Sequence, residues 1–149
     1  MKLSLFSDYA LRVLMYAALK GSSFQLDEVT EAYNISRNHL AKVVNSLSKL
    51  GYLDTRRGRG GGIQLGMKPE EIRIGVLVRK TEDQPVIVEC FDAATNTCRL
   101  NGNCRLKGVL AEAMNAFYAT LDQQTLSDLI AGAPGSRMKK VLMSAGTEG

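Results

Sequence analysis

Apolar residues recur along the first half of the chain in helical steps that glycine, asparagine and serine interrupt. Between Ser7 and Lys20, Leu11, Leu14, Met15, Ala18 and Leu19 share one face, Asp8 sits in the first turn and Gly21 closes the run, which predicts a first helix. Leu26 to Tyr33 predicts a second, short helix: Leu26, Val29 and Tyr33 align, Asp27, Glu28 and Glu31 lie elsewhere, and Asn34 ends it. Ser36 then offers an N-cap oxygen, Leu40, Val43, Val44, Leu47 and Leu50 follow at helical spacing, and Gly51 supplies a left-handed stop. Tyr52 to Arg56 and Ile63 to Leu65 read as strands, and the glycine-rich stretch from Arg57 to Gly62 between them is a hairpin turn that needs positive φ angles. Two helices at a tight corner followed by a hairpin predict a winged helix-turn-helix, with Ile72 to Thr81 packing beneath it as a fourth helix.

Regular spacing stops from Val86 to Asn103, where Val86-Ile87-Val88 gives way to a loop rich in Asn, Thr and Gly. After Cys104, Leu106, Leu110, Ala113, Phe117 and Leu121 form one apolar seam on a long helix that Ala111, Ala113, Ala116 and Ala119 keep slim. So long a helix in so small a protein pairs economically with its own copy, and a homodimer is expected. Thr125 to Ile130 predicts a short last helix, and from Gly132 onward Gly, Pro, Ser and Lys predict a frayed end. The expected organisation is a winged helix-turn-helix region at 1–82, a cysteine-bearing cluster loop at 83–104, a dimerisation helix and short terminal helix at 105–131, and a flexible tail at 132–149. Together they make one integrated domain, mainly α (α+β).

A length of 149 residues suits a single core, and 45% hydrophobic with 23% charged residues excludes a disordered chain. Asp8 and Arg12 break the N-terminal apolar run, no small-residue cleavage site follows, and no stretch reaches the roughly 18 apolar residues of a membrane span, so a cytoplasmic protein with no membrane partner is expected. The net charge of +4 is unevenly spread: residues 1–80 hold 13 Lys and Arg against 7 Asp and Glu, whereas residues 81–149 hold 6 against 8. A basic first half attracts a polyanion, and double-stranded DNA is the commonest one in the cytoplasm.

The third helix carries chemistry suited to DNA on the face opposite its seam. Arg37 and Asn38 are types that pair bidentately with guanine and adenine, His39 and Lys42 stand beside them, Asn45 extends the row, and Ala41 allows close approach. Ser36 marks the helix N-terminus, whose free N–H groups suit a phosphate oxygen. A solvated polar face is the ordinary alternative for this helix taken alone. The hairpin changes that balance, because Arg56, Arg57 and Arg59 among Gly58, Gly60, Gly61 and Gly62 form a thin cationic finger able to enter a minor groove. A nucleotide-binding glycine loop is rejected, since this loop joins two strands and opens no helix. Ser36, Arg37, Asn38, His39, Lys42, Arg56, Arg57, Arg59 and Gly60 are the candidate DNA contacts.

Three cysteines, Cys90, Cys98 and Cys104, are spaced C-x7-C-x5-C in or beside the irregular loop. An odd number does not suit a disulfide framework. Burial as small hydrophobes is one reading. Asp92, Asn96, Arg99, Asn101, Asn103 and Arg105 instead make a polar, basic surrounding that favours thiolates, the setting of metal ligands or redox sensors. There are no CxxC knuckles, and the sole histidine, His39, lies on the DNA-reading helix, which disfavours a Cys3His zinc site. Three thiolates suit an iron-sulfur cluster with one position left for another ligand.

The segments FSDYALRVLMYAA, SRNHLAKVVNSLSKLGYL and RGRGGGIQLG, followed by three cysteines before the final helix pair, resemble the NsrR-type nitric-oxide-sensing iron-sulfur repressors, a group in the bacterial superfamily that also contains the regulator IscR. The resemblance runs over about residues 1–131 and includes FYATLDQQTLSDLI. It implies a dimeric repressor that binds operator DNA with its cluster intact and releases it when the cluster is nitrosylated by nitric oxide. It also implies that Cys90, Cys98 and Cys104 hold the cluster, with Asp8 of the other subunit matching the acidic residue of this group. A 4Fe-4S cluster is favoured over 2Fe-2S. An iron-sulfur-supply or redox-sensing regulator of the IscR kind is the alternative, and a metal-free thiol switch is a further one. No acid/base dyad, nucleophile-base pair or cofactor loop supports an enzyme.

Overall fold

A computed structural model of the chain describes residues 2–83 and 86–145. Helix α1 (Leu5–Lys20) begins where the Ser4 hydroxyl accepts the Ser7 N–H at 3.1 Å and stops at Gly21, where φ is 68°. Its inward face presents Ala10, Val13, Leu14 and Ala17, all buried, which corrects the expected seam: Leu14 and Leu19 are buried, but Leu11, Met15 and Ala18 pack only partly against the core because the helix is turned toward its small residues. Helix α2 (Leu26–Tyr33) ends at a left-handed Asn34, and Ser36 caps α3 (Arg37–Lys49) by accepting the His39 N–H at 3.4 Å. The α3 seam Leu40, Val43, Val44 and Leu47 closes onto α1. Strands β1 (Leu53–Arg56) and β2 (Gly62–Leu65) pair antiparallel, with Leu53 opposite Leu65 and Arg56 opposite Gly62. Helices α4 (Ile74–Thr81), α5 (Arg105–Asp122), α6 (Leu126–Ile130) and α7 (Gly132–Ser144) follow, with short 3-10 turns at Pro69–Glu71 and Glu89–Phe91. This is a mainly helical winged helix-turn-helix, as the hydrophobic pattern predicts. Among the described residues no helix is long and apolar enough to cross a membrane.

The expected flexible tail is corrected over most of its length. Gly132–Ser144 is helical and packs on α1, α2 and α6, with Gly135 and Leu142 buried and Met138 and Met143 against the core. Pro134 causes no break because it lies in the first turn, where no backbone N–H is needed. Residues 146–149 of that expected tail, and 84 and 85 of the loop, lie outside the described residues.

The start of α1 and the end of α4 are tied together at the root of the cysteine loop. Buried Ser7 and Thr81 share a hydrogen bond of 2.8 Å, and the Ser4 N–H and hydroxyl donate to Glu82 Oε1 at 2.9 and 3.0 Å. Burial works against the Glu82 charge, but the hydrogen bonds from Ser7 and Ser4 outweigh it and hold the carboxyl below its ordinary value of 4.5. A lowered folded-state value stabilises the fold above pH 4.5 and loses that contribution as pH falls through the folded value. Glu82→Gln is therefore expected to cost about 1 kcal/mol at pH 7, with the difference from wild type vanishing in acid. Urea unfolding at pH 7 and at successively lower pH checks this, and a difference that fails to shrink as the medium is acidified would contradict it.

Candidate nucleic-acid interface and cysteine site

The wing is held at its base and bare at its tip. Phe24 and Ile63 exchange both backbone hydrogen bonds, at 2.9 and 2.8 Å, so the segment before α2 extends the hairpin as a third, one-residue rung. The Gln25 side-chain N–H donates to the Gly61 carbonyl at 2.8 Å. Gly58 and Gly60 turn the tip with φ of 97° and 80°, and a Cβ at Gly61 would collide with the Arg56 carbonyl and stand 2.9 Å from that of Gly58. Phe24 and Gln25 were not among the sequence candidates, and no local pattern marks a bridge across more than thirty residues.

Of the candidate cations, Arg37 donates to Asp27 at 2.7 Å and Arg56 to Asp54 at 3.2 Å. Among the described residues, Lys42, Arg57 and Arg59 are exposed and make no ion pair. Arg37, Arg56, Arg57 and Gly58 also line a cleft of about 340 Å³ between the start of α3 and the wing. Ser36, Asn38, His39 and Gly60 are exposed, Ser36 serving as the α3 cap. The His39 ring sits 6.1 Å from that of Tyr9, placing the first turns of α1 against the first turn of α3. Ion pairs as exposed as Arg37–Asp27 contribute little stability, so either arginine is released to a phosphate at small cost.

The cysteine loop leaves α4 at Glu82 and returns at α5. Asp92 organises its first bend, accepting the Ala94 N–H at 2.9 Å and the Thr95 hydroxyl at 2.8 Å, and these bonds hold its carboxyl below the ordinary 3.8. All three thiols are free and half-buried. Cys90 and Cys104 line one cavity of about 480 Å³ with Phe91, Asn101, Gly102, Lys107, Gly108 and Ala111. Cys104 is the N-cap residue of α5, and Lys107 lies less than one turn on. Cys98 does not line that cavity, its N–H donating to the Asn96 side chain at 3.0 Å. Among the described residues no three His, Cys, Asp or Glu side chains are gathered as a metal-ligand group. The donor set still fits an iron-sulfur cluster: three thiolate-forming residues on one short loop, two at a shared cavity whose helical wall is only Gly108 and Ala111 beside Lys107. Asn101 belongs to the polar surrounding expected from the sequence, whereas Lys107 and Gly108 were not singled out, although a lysine three residues beyond Cys104 is a visible signal.

Asp8 lies on α1 and pairs with Arg12 at 2.8 Å, one turn on, while the Arg12 guanidinium sits 5.8 Å from the Tyr33 ring centre. Within one chain it is thus a first-turn carboxylate with a helical partner, both side chains more than a third exposed.

The family model described as Rrf2, iron-dependent transcriptional regulator, matches residues 3–132, which span both the winged helix-turn-helix and the cysteine loop. The chain belongs to the Rrf2 family. It is similar to the HTH-type transcriptional regulator NsrR of Bacillus subtilis, 53% identical over 132 residues that cover 87% of this chain and 90% of that one. Among solved structures it resembles a transcriptional regulator from Listeria innocua, with a TM-score of 0.73, 25% identity, and 89% and 88% of the two chains covered. CymR, the global cysteine regulator of B. subtilis, follows at a TM-score of 0.71 and 27% identity, covering 87% of this chain and 95% of its own. This Rrf2 protein is accordingly a transcriptional regulator rather than an enzyme.

The wing supplies a prediction for this Rrf2 chain. Arg59→Ala is expected to weaken binding to a preferred duplex by about 1–3 kcal/mol, whereas Lys139→Ala on α7 changes it little. Fluorescence anisotropy at one fixed salt concentration measures both, and equal losses would remove the wing from the interface.

Proposed function

We propose that this protein is a cytoplasmic homodimeric repressor that binds operator DNA while Cys90, Cys98 and Cys104 hold an iron-sulfur cluster, and that nitric oxide is the signal that releases it. The observation that carries this reading is the cavity shared by Cys90 and Cys104 at the foot of α5, with Cys98 on the same loop. The likeness to NsrR over 87% of the chain supports it. A 4Fe-4S cluster is favoured, with Asp8 of the partner subunit as the remaining ligand. When bound, the cluster supplies iron atoms that nitric oxide attacks.

The chain's own residues supply the rest. With the cluster bound, Cys90, Cys98 and Cys104 would tie the two ends of the loop together at the foot of α5. The loop root is clamped to the N-cap of α1 through Glu82 and Ser4, and one turn further on the Tyr9 ring stands 6.1 Å from that of His39 on the recognition helix. A change in the loop thereby biases the position of α3 relative to the rest of the body. α5 offers its exposed Leu106 and Val109 to the copy, which places two recognition helices on two half-sites. Candidate DNA contacts are Ser36, Arg37, Asn38, His39 and Lys42 in the major groove and Arg56, Arg57, Arg59 and Gly60 from the wing. For Asp8 to reach a partner's loop it must leave Arg12, which the exposure of that pair makes inexpensive.

Protein purified without oxygen is expected to contain iron and sulfide, to absorb in the visible, and to lose both its colour and its duplex affinity on nitric oxide titration. Loss of affinity on iron removal but not with nitric oxide would favour a supply sensor of the IscR kind. Colourless protein that binds normally would overturn the cluster altogether. Cys98→Ala is expected to lose iron and DNA affinity while keeping its helical circular dichroism, and a coloured, normally binding variant would remove Cys98 from the ligand set. Asp8→Ala is expected to retain a cluster and change the rate of its reaction with nitric oxide, measured by stopped-flow absorbance; an unchanged rate would exclude Asp8.

A further inference from the structure

Helix α5 is carried by α4 at one end and is otherwise open. None of its residues is buried, Leu106 and Val109 are more than half exposed, and its principal contact with the body is α4. The joint itself is closely built. Arg79 donates two parallel hydrogen bonds to the Asp122 carboxylate, at 2.6 and 2.8 Å, while its guanidinium lies 4.3 Å from the centre of the Tyr118 ring. The Ile74 N–H donates to the Gln124 carbonyl at 3.0 Å, so the backbone is stitched beside the ion pair. Gly75 faces the end of α5 directly: a Cβ built there would collide with the Asp122 carboxylate and come 2.9 Å from the Asp122 backbone nitrogen.

These contacts constrain direction more than they add stability. A half-exposed ion pair contributes little free energy, but a two-pronged guanidinium–carboxylate pair, stacked on a ring, restricts orientation. Because Gly75 has no Cβ, the end of α5 seats directly against α4, and any larger residue there would push it away. α5 has 18 residues and is about 27 Å long, so a tilt of about 10° at the joint displaces its far end by about 5 Å. That exceeds the base-pair step of about 3.4 Å.

The geometry points to Gly75, Arg79 and Asp122 as specificity-determining residues that set the spacing between operator half-sites, by fixing the angle at which α5 leaves α4. This rests on the proposed dimer along α5. They touch no DNA; they act by positioning the helix that joins two reading heads, and the half-site sequence is left to α3 and the wing.

The test is selection of preferred duplexes from a random-sequence library with the anaerobically purified full chain, as wild type, Gly75→Ala and Arg79→Gln, with sedimentation of each protein. Wild type is expected to sediment as a dimer and select two half-sites at one spacing. Both variants are expected to remain dimers and select the same half-site sequence, with the spacing shifted or broadened by at least one base pair. Dimeric variants that keep the wild-type spacing overturn the proposal. If Gly75→Ala fails to fold, Arg79→Gln decides alone, because its side chain is half-exposed and its loss leaves the core intact. A wild-type monomer selecting single half-sites overturns the dimer reading and this proposal with it, whereas an α5 dimer with unaltered variant spacing overturns this proposal only.

Discussion

One face of α1 keeps Ala10, Val13, Leu14 and Ala17 out of water, and α3, α4, α6, α7 and β2 all pack on this helix. Each large apolar side chain buried there contributes about 1.5–3 kcal/mol, and the alanines let neighbouring helices approach closely. Every part with a proposed task is referenced to this body. The recognition helix lies across it, the wing returns to it through β2, and α4 fastens the loop root through Thr81 and α5 through Gly75 and Arg79. A displacement at either end of α4 is therefore measured against a frame that does not yield.

The outlying parts are held differently. The wing tip is bare glycine and arginine, the cysteine loop is joined by single side-chain bonds such as those of Asp92, and α5 buries no residue. Segments with few buried contacts are the ones that open or shift at low cost. In the proposed reading this contrast is what a switch requires: a rigid body that reads DNA, and lightly held appendages whose order depends on a bound group and on a second copy.

The body was legible because its apolar residues repeat strictly. Leu40, Val43, Val44 and Leu47 of the predicted seam are buried, whereas Leu50, its last expected member, is the exposed C-cap residue just past the end of α3; Ser36 caps α3 as its hydroxyl suggests. The last helix was missed because Gly132, Pro134 and Gly135 read as breakers, although Met138, Val141 and Leu142 repeat at helical spacing just beyond them. Proline in a first turn costs nothing, and Gly135 lies tight against the Ile130 carbonyl where a larger residue has no room. The wing's arginines were visible as composition, but the pairing of Arg37 and Arg56 with Asp27 and Asp54 depends on the tertiary corner and on the hairpin. The cysteines were visible as spacing; that Cys90 and Cys104 share a cavity, apart from Cys98, follows from where the loop bends.

The central claim is that occupancy of the cysteine loop and affinity for DNA are linked. The direct measurement is the dissociation constant for one preferred duplex at fixed salt, determined without oxygen for iron-loaded protein and for the same preparation after its iron has been removed by a chelator. Linkage between the two sites predicts that the loaded protein binds at least tenfold more tightly, a coupling of about 1.4 kcal/mol, and that the duplex in turn slows loss of iron. Equal affinities, with iron loss indifferent to DNA, would contradict the account.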